Sequence, residues 1–210
     1  MDDLPATAAT LRPAPAVEPA RTVLGVIDMQ NVFGEPGSPW LTPRFDEVVE
    51  PVRRLTEAYG PATVFTRFVA PDTPHGAWVP YYEEWSFALQ PPDAALWDVV
   101  PDLADVAGRA ERAGRVVSAP TFSKWDRLRS LVGIDGRLVL CGVSTDCCVI
   151  STALAAADDG TEVVVVADAC AGVDDDSHAK ALHVMDLYAP LVRVVGLEEA
   201  LALAPEVEGR

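Results

Sequence analysis

Two adjacent cysteines, Cys147 and Cys148, follow the segment Gly142-Val143-Ser144-Thr145-Asp146, which joins an apolar run to a helical pattern. A cysteine in the first turn of a helix lies near the positive end of the helix dipole. That favours the thiolate, the form that attacks carbon. Backbone N–H groups at such a turn can hold an oxyanion. A carboxylate at a neighbouring strand end can accept the thiol proton, and a lysine nearby would steady the charged pair. Asp28 closes the run Leu24-Gly25-Val26-Ile27, and Lys124 stands a few residues after the run ending at Ser118-Ala119. Arg67 and Asp168 close two further runs. This combination of residue types points to acyl transfer to a thiol followed by hydrolysis. Each residue also has a plainer reading. A cysteine in an apolar segment is commonly a small core residue, a strand-end aspartate often caps a turn, and a surface lysine is usually only solvated.

The elements that would hold these residues alternate along the chain. Apolar runs without strict alternation at Thr22–Asp28, Ala62–Arg67, Arg115–Ser118, Arg137–Gly142, Glu162–Asp168 and Leu191–Val195 read as strands buried on both faces. Helical patterns lie between them at Arg44–Tyr59, Asp146–Asp158 and Asp176–Leu187, with Pro51 placed to kink or shorten the first. Strands alternating with helices imply an α/β fold with a mainly parallel sheet wrapped on both sides. Ligands in such sheets bind beyond the carboxyl ends of the strands, where all the candidates above are found. Pro71–Pro101 breaks the rhythm: it carries Trp78, Tyr81, Tyr82, Trp85, Phe87 and Trp97 among several prolines. It reads as a long loop, serving as a lid or binding element, as a subunit interface or an aromatic cap on the core, or as both.

The 210 residues suffice for one domain with a sizeable core. Half are hydrophobic, yet no apolar run is long enough to span a bilayer. No basic segment followed by an apolar one stands at the N-terminus, so no signal peptide, no membrane contact and a cytoplasmic location are expected. Sixteen basic against 32 acidic residues give a formal charge of -16. Such a field repels phosphate backbones and argues against a nucleic-acid partner. The four cysteines form no CxxC pair and no zinc-finger spacing with His75, His178 and His183, so reduced thiols are expected.

The segment Leu138-Val139-Leu140-Cys141-Gly142-Val143-Ser144-Thr145-Asp146-Cys147-Cys148-Val149, continued by Ser151-Thr152-Ala153-Leu154, resembles the signature of the isochorismatase-like cysteine hydrolases. That family includes nicotinamidases and N-carbamoylsarcosine amidases. Val26-Ile27-Asp28-Met29-Gln30-Asn31-Val32-Phe33 resembles its first strand and aspartate. Asp168-Ala169-Cys170-Ala171 and Ser177-His178-Ala179-Lys180-Ala181-Leu182 resemble later stretches, so the likeness runs from about Thr22 to Ala202. It implies a three-layer α/β/α fold with a six-stranded, mainly parallel sheet. The expected organisation is an arm over 1–20, one domain over 21–204 and a tail over 205–210. The resemblance also implies that Cys148 is the nucleophile, that Asp28 is its base, and that a cis peptide between Val143 and Ser144 turns the Ser144 N–H, with the Cys148 N–H, toward the substrate oxygen.

Two departures from the family pattern matter. The family lysine stands three residues before an aromatic. With Phe122 as that aromatic, the position holds Ala119, and Lys124 is five residues further on. Either the register shifts and Lys124 enters the site, or the lysine is missing; Lys124 is the expectation taken forward. Nicotinamidases also hold a metal after the second strand, where this chain offers only Asp72 and His75. Neither a metal nor another cofactor is expected. The reading is therefore an amidase-like cysteine hydrolase of small molecules, with Asp28, Lys124 and Cys148 catalytic and the Ser144 and Cys148 N–H groups as oxyanion donors. Phe33, Trp40, Arg67, Trp85, Phe122, Trp125 and Val143 are the expected substrate contacts, and a homodimer or larger homo-oligomer is the expected assembly. The alternatives are a vinyl ether hydrolase, which would use Asp28 as an acid and need no thiol, and a catalytically silent binding or thiol-redox protein.

Overall fold

Apolar residues dominate six short runs, and strands covered on both faces bury such runs most fully at the centre of a sheet. In the computed structural model, which describes residues 21–133 and 135–206, these runs form β1 (Thr22–Ile27), β2 (Thr63–Phe68), β3 (Val116–Ala119), β4 (Arg137–Val143), β5 (Glu162–Ala171) and β6 (Val192–Val195). They make one sheet in the order β3-β2-β1-β4-β5-β6, and every pairing between them is parallel. β1 lies between β2 and β4, so the chain leaves it on both sides and a crevice opens at the carboxyl ends of β1 and β4.

The helices are α1 (Asn31–Gly34), α2 (Phe45–Tyr59), α3 (Trp78–Glu84), α4 (Ala104–Arg112), α5 (Trp125–Val132), α6 (Ile150–Asp158), α7 (Asp175–Asp186) and α8 (Leu197–Ala202). Strand alternation sorts side chains into two cores. Leu24 and Val26 of β1 join Val139 and Cys141 of β4 against α2, α4 and α8. Val23 and Ile27 join Leu138 and Leu140 against α5, α6 and Met185 of α7. The three-layer α/β/α arrangement expected from the sequence is the one observed. Among the described residues no helix is long and apolar enough to cross a membrane. The expected arm over 1–20 and the tail beyond 206 lie outside the described residues.

Three local expectations need correction. Pro51 lies inside α2 without ending it, and the helix runs on to Tyr59. β5 continues three residues past Asp168, to Ala171. Pro71–Pro101 is not a bare loop: it holds α3 and the short turns Ser86–Ala88 and Ala95–Trp97. Pro80 sits in the first turn of α3, where backbone N–H groups have no helical partner and a proline costs little. The segment returns over the end of β1, where Val100 N–H donates to Met29 O (3.0 Å) and Asn31 N–H to Asp98 O (3.0 Å).

One glycine fixes the geometry at the crevice. Gly142 has φ +108, and a Cβ there would lie 2.1 Å from the Ile27 carbonyl oxygen. Only glycine lets the end of β4 approach the residue before Asp28 this closely.

Candidate active site

Asp28 follows β1 with φ +48, a left-handed conformation that aspartate tolerates better than most residues. Its side chain is fully buried. Thr66 of β2 holds it from two directions: the hydroxyl donates to Asp28 Oδ1 (2.6 Å) and accepts the Asp28 N–H (3.2 Å). Oδ2 lies 2.8 Å from Lys124 Nζ but meets no donor in good hydrogen-bond alignment among the described residues. One carboxylate oxygen is thus held by Thr66, and the other faces the Lys124 ammonium.

Lys124 is also fully buried. It does not stand at the end of β3, where Ala119 pairs with Phe68. The chain folds back after that strand, so the lysine enters from the residue before α5. Its ammonium donates to the carbonyls of Thr121 (2.6 Å) and Phe122 (3.0 Å) and lies 5.2 Å from the centroid of the Phe68 ring. Burial opposes its charge, but the charge of the Asp28 carboxylate prevails and holds it above the ordinary lysine value. A buried ion pair needs further hydrogen bonds to offset its desolvation, and the Thr121 and Phe122 carbonyls supply them to the ammonium while Thr66 supplies one to Oδ1.

Cys148 lies in a five-residue π-helical turn, Thr145–Val149, that precedes α6. Val149 N–H reaches back to Ser144 O (3.1 Å). Thr152 joins the cysteine turn to the residue before α5, since its hydroxyl donates to Cys148 O (2.7 Å) and accepts the Lys124 backbone N–H (3.0 Å). The Val143–Ser144 peptide is cis. The expected effect of the helix start on Cys148 is outweighed. Contact with the Cys147 thiol, burial and the Asp28 charge together push Cys148 well above the ordinary thiol value, against the pull of Lys124. Contact with Cys148 holds the half-buried Cys147 below it.

Cys148 opens into a pocket of about 290 Å³ lined by Phe33, Pro39, Trp40, Leu41, Thr42, Phe68, Tyr81, Trp85, Phe122, Ser144, Cys147 and Val173. Among the described residues no charged side chain lines it. Trp40 organises the wall, with ring centroids 5.7 Å from Phe68, 6.1 Å from Tyr81 and 6.2 Å from Trp85. Of the residues expected from the sequence to contact substrate, Phe33, Trp40, Trp85 and Phe122 line this pocket, and Arg67, Trp125 and Val143 do not. Arg67 points to the opposite face of the sheet and lines a separate cleft with Asp98, Ala104 and Glu111, because strand alternation turns it away when Thr66 faces Asp28. Trp125 is a core residue of α5, tied to Asp159 Oδ2 through its indole N–H at 2.6 Å. Val143 is fully buried and adds only backbone beside Ser144. A larger cleft of about 550 Å³ lies between Arg44, Asp168 and His178, and its lining includes neither Cys148 nor Asp28.

Thr66, Gln30 and Thr152 are the residues that sequence reasoning missed. Gln30 is fully buried; its amide accepts the Phe68 N–H (2.7 Å) and donates to Phe68 O (3.0 Å) and Trp97 O (2.7 Å). It thereby fixes the Phe68 ring under the lysine and anchors the aromatic segment. A buried glutamine two residues after a strand-end aspartate was the available signal. The donor set does not fit a metal: Asp72 and His75 are exposed, and among the described residues no three His, Cys, Asp or Glu side chains are grouped to hold one.

Residues 22–198 match the model of the isochorismatase domain. No curated protein matches. Solved structures with a similar fold include a cysteine hydrolase from Pseudomonas syringae pv. phaseolicola, 20% identical with a TM-score of 0.72 over 89% of this chain and 93% of that one. An isochorismatase-like hydrolase from Alkaliphilus metalliredigens is 20% identical, with a TM-score of 0.67 over 87% and 96%. A nicotinamidase/pyrazinamidase from Bacillus subtilis is 20% identical, with a TM-score of 0.67 over 83% and 99%. At these identities the structural likeness speaks for the fold.

Proposed function

Because the chain belongs to the isochorismatase family, we propose that it is a cysteine hydrolase that cleaves a small-molecule amide through a thioester on Cys148. The observation that carries this reading is the fully buried Asp28–Lys124 pair, 2.8 Å apart, whose charges both act on Cys148, a residue that lines an apolar pocket. Asp28 takes the thiol proton as the sulfur attacks the amide carbon. The Ser144 and Cys148 N–H groups hold the oxyanion. Asp28 then gives its proton to the departing nitrogen, and the C–N bond breaks to leave an acyl-thioester. Water, deprotonated by the same carboxylate, attacks the thioester; acid leaves and the thiol is restored. Lys124 holds Asp28 in place and balances the negative charge that passes between carboxylate and sulfur. The pocket wall, without a charged side chain, suits an uncharged substrate better than a charged one.

A panel of primary and secondary amides, scored for ammonia or amine release, tests the proposal. Cys148→Ala and Asp28→Asn should each lower kcat/KM by about 10³-fold or more. Activity that survives Cys148→Ala would remove the thiol from the mechanism.

A further inference from the structure

The loop that carries Ser144 is latched from behind by a side chain the mechanism above does not use. Asp146 Oδ1 accepts the Ser144 hydroxyl at 2.8 Å and the Val173 N–H at 3.0 Å. One carboxylate oxygen thus ties the residue after the cis peptide to the segment following β5. Val173 is itself a wall of the pocket. The carboxylate occupies space that any side chain at position 172 would need: a Cβ on Gly172 would lie 2.6 Å from Asp146 Oδ1. Its φ is not in the left-handed range, so the glycine serves this close approach and not an unusual backbone turn. A second tie runs parallel, from Thr145 Oγ1 to His178 Nδ1 at 2.9 Å. Both ties act on the stretch that aims the Ser144 N–H, and neither touches the sulfur, Asp28 or Lys124.

We propose that Asp146 is a positioning residue for the oxyanion side of the reaction, holding the Ser144 backbone through its hydroxyl, with Gly172 as the seat for the carboxylate. This inference rests on the hydrolase reading above. It separates two properties that a general loss of structure would move together. Attack on an acyl carbon builds negative charge on oxygen and needs the donors in place. Alkylation by iodoacetamide displaces iodide and builds no oxyanion, so it reads the thiol alone.

The experiment compares two rates at Cys148 in the full chain: acylation by p-nitrophenyl acetate and alkylation by iodoacetamide. Both are followed by mass spectrometry, with fragmentation to separate Cys148 from Cys147. Asp146→Ala should slow acylation by about 10- to 100-fold, the scale of a misplaced donor, and leave alkylation within about twofold. Asp146→Asn, whose carbonyl still accepts both bonds, should restore acylation. Ser144→Ala removes only the hydroxyl arm and should give a smaller loss of the same kind, which keeps the test in force if Asp146→Ala folds poorly. Parallel loss of both rates, or no change in acylation, would overturn the inference. If wild type acylates Cys148 and Asp146→Ala does so equally fast, this inference alone fails; if wild type never acylates Cys148, the hydrolase reading fails and takes it along.

Discussion

Replacing Lys124 by methionine removes one charge from a pair in which both side chains have no exposure. Methionine keeps most of the volume, so the cost is mainly electrostatic. The Asp28 carboxylate would remain in the interior with the Thr66 hydroxyl as its hydrogen-bond donor. Breaking a buried pair from one side costs about 3–5 kcal/mol. The carbonyls of Thr121 and Phe122 would lose their ammonium donor, but Thr121 is exposed and Phe122 partly so. Water replaces those contacts at small cost. In a domain of this size each kcal/mol moves the Tm by about 2–4 °C, so Lys124→Met should lower it by about 6–20 °C. The assay is urea and thermal denaturation of wild type, Lys124→Met, Asp28→Asn and the double variant. With a neutral amide at position 28 the lysine has lost its partner, and the double variant should recover about 2 kcal/mol relative to the sum of the single losses. A Lys124→Met loss below about 1 kcal/mol, with no coupling to position 28, would refute the reasoning.

Thr66→Val keeps the shape of the side chain but removes the donor to Asp28 Oδ1, and should cost about 1–3 kcal/mol in urea unfolding and lower kcat more than it raises KM. Because contact with Cys148 lowers the Cys147 pKa and that same contact, burial and Asp28 raise that of Cys148, iodoacetamide at neutral pH should label Cys147 first. Labelling of Cys148 should climb only as pH rises above the ordinary thiol range, and fragmentation of the labelled peptide reads the order. Trp125→Phe removes one hydrogen bond from the α5 core, so it should cost about 1 kcal/mol in stability and leave KM unchanged. Trp40→Ala opens the pocket wall and should raise KM about tenfold in steady-state kinetics, the loss of roughly 1.4 kcal/mol of ring contact.

Much of the sheet is legible from residues alone because strands buried on both faces must be apolar at every position. Leu138–Cys141 and Val163–Val166 leave little other choice. α3 is hidden because Pro80 and the surrounding aromatics give it the composition of a loop, although a proline in the first turn is compatible with a helix. Of the site, Asp28 is marked by its place at a strand end, and the cysteine turn by the segment before it. The position of Lys124 depends on the chain folding back after Ala119 so that two carbonyls can receive the ammonium, a feature of tertiary structure that local spacing does not encode. Thr66 looks like any strand threonine until β1 and β2 are placed side by side. That pairing also turns Arg67 to the other face. Gly142 and Gly172 become intelligible only when their neighbours appear: the Ile27 carbonyl in one case and the Asp146 carboxylate in the other.

The most direct test of the account is to trap the covalent intermediate. Enzyme mixed with a turned-over amide, quenched in acid within the first turnovers and digested, should yield a peptide whose mass has increased by the acyl group, with the modification on Cys148 and not on Cys147. The adduct should be absent from Asp28→Asn. Turnover at the wild-type rate by Cys148→Ala, with no acylated cysteine at any quench time, would contradict the thioester mechanism.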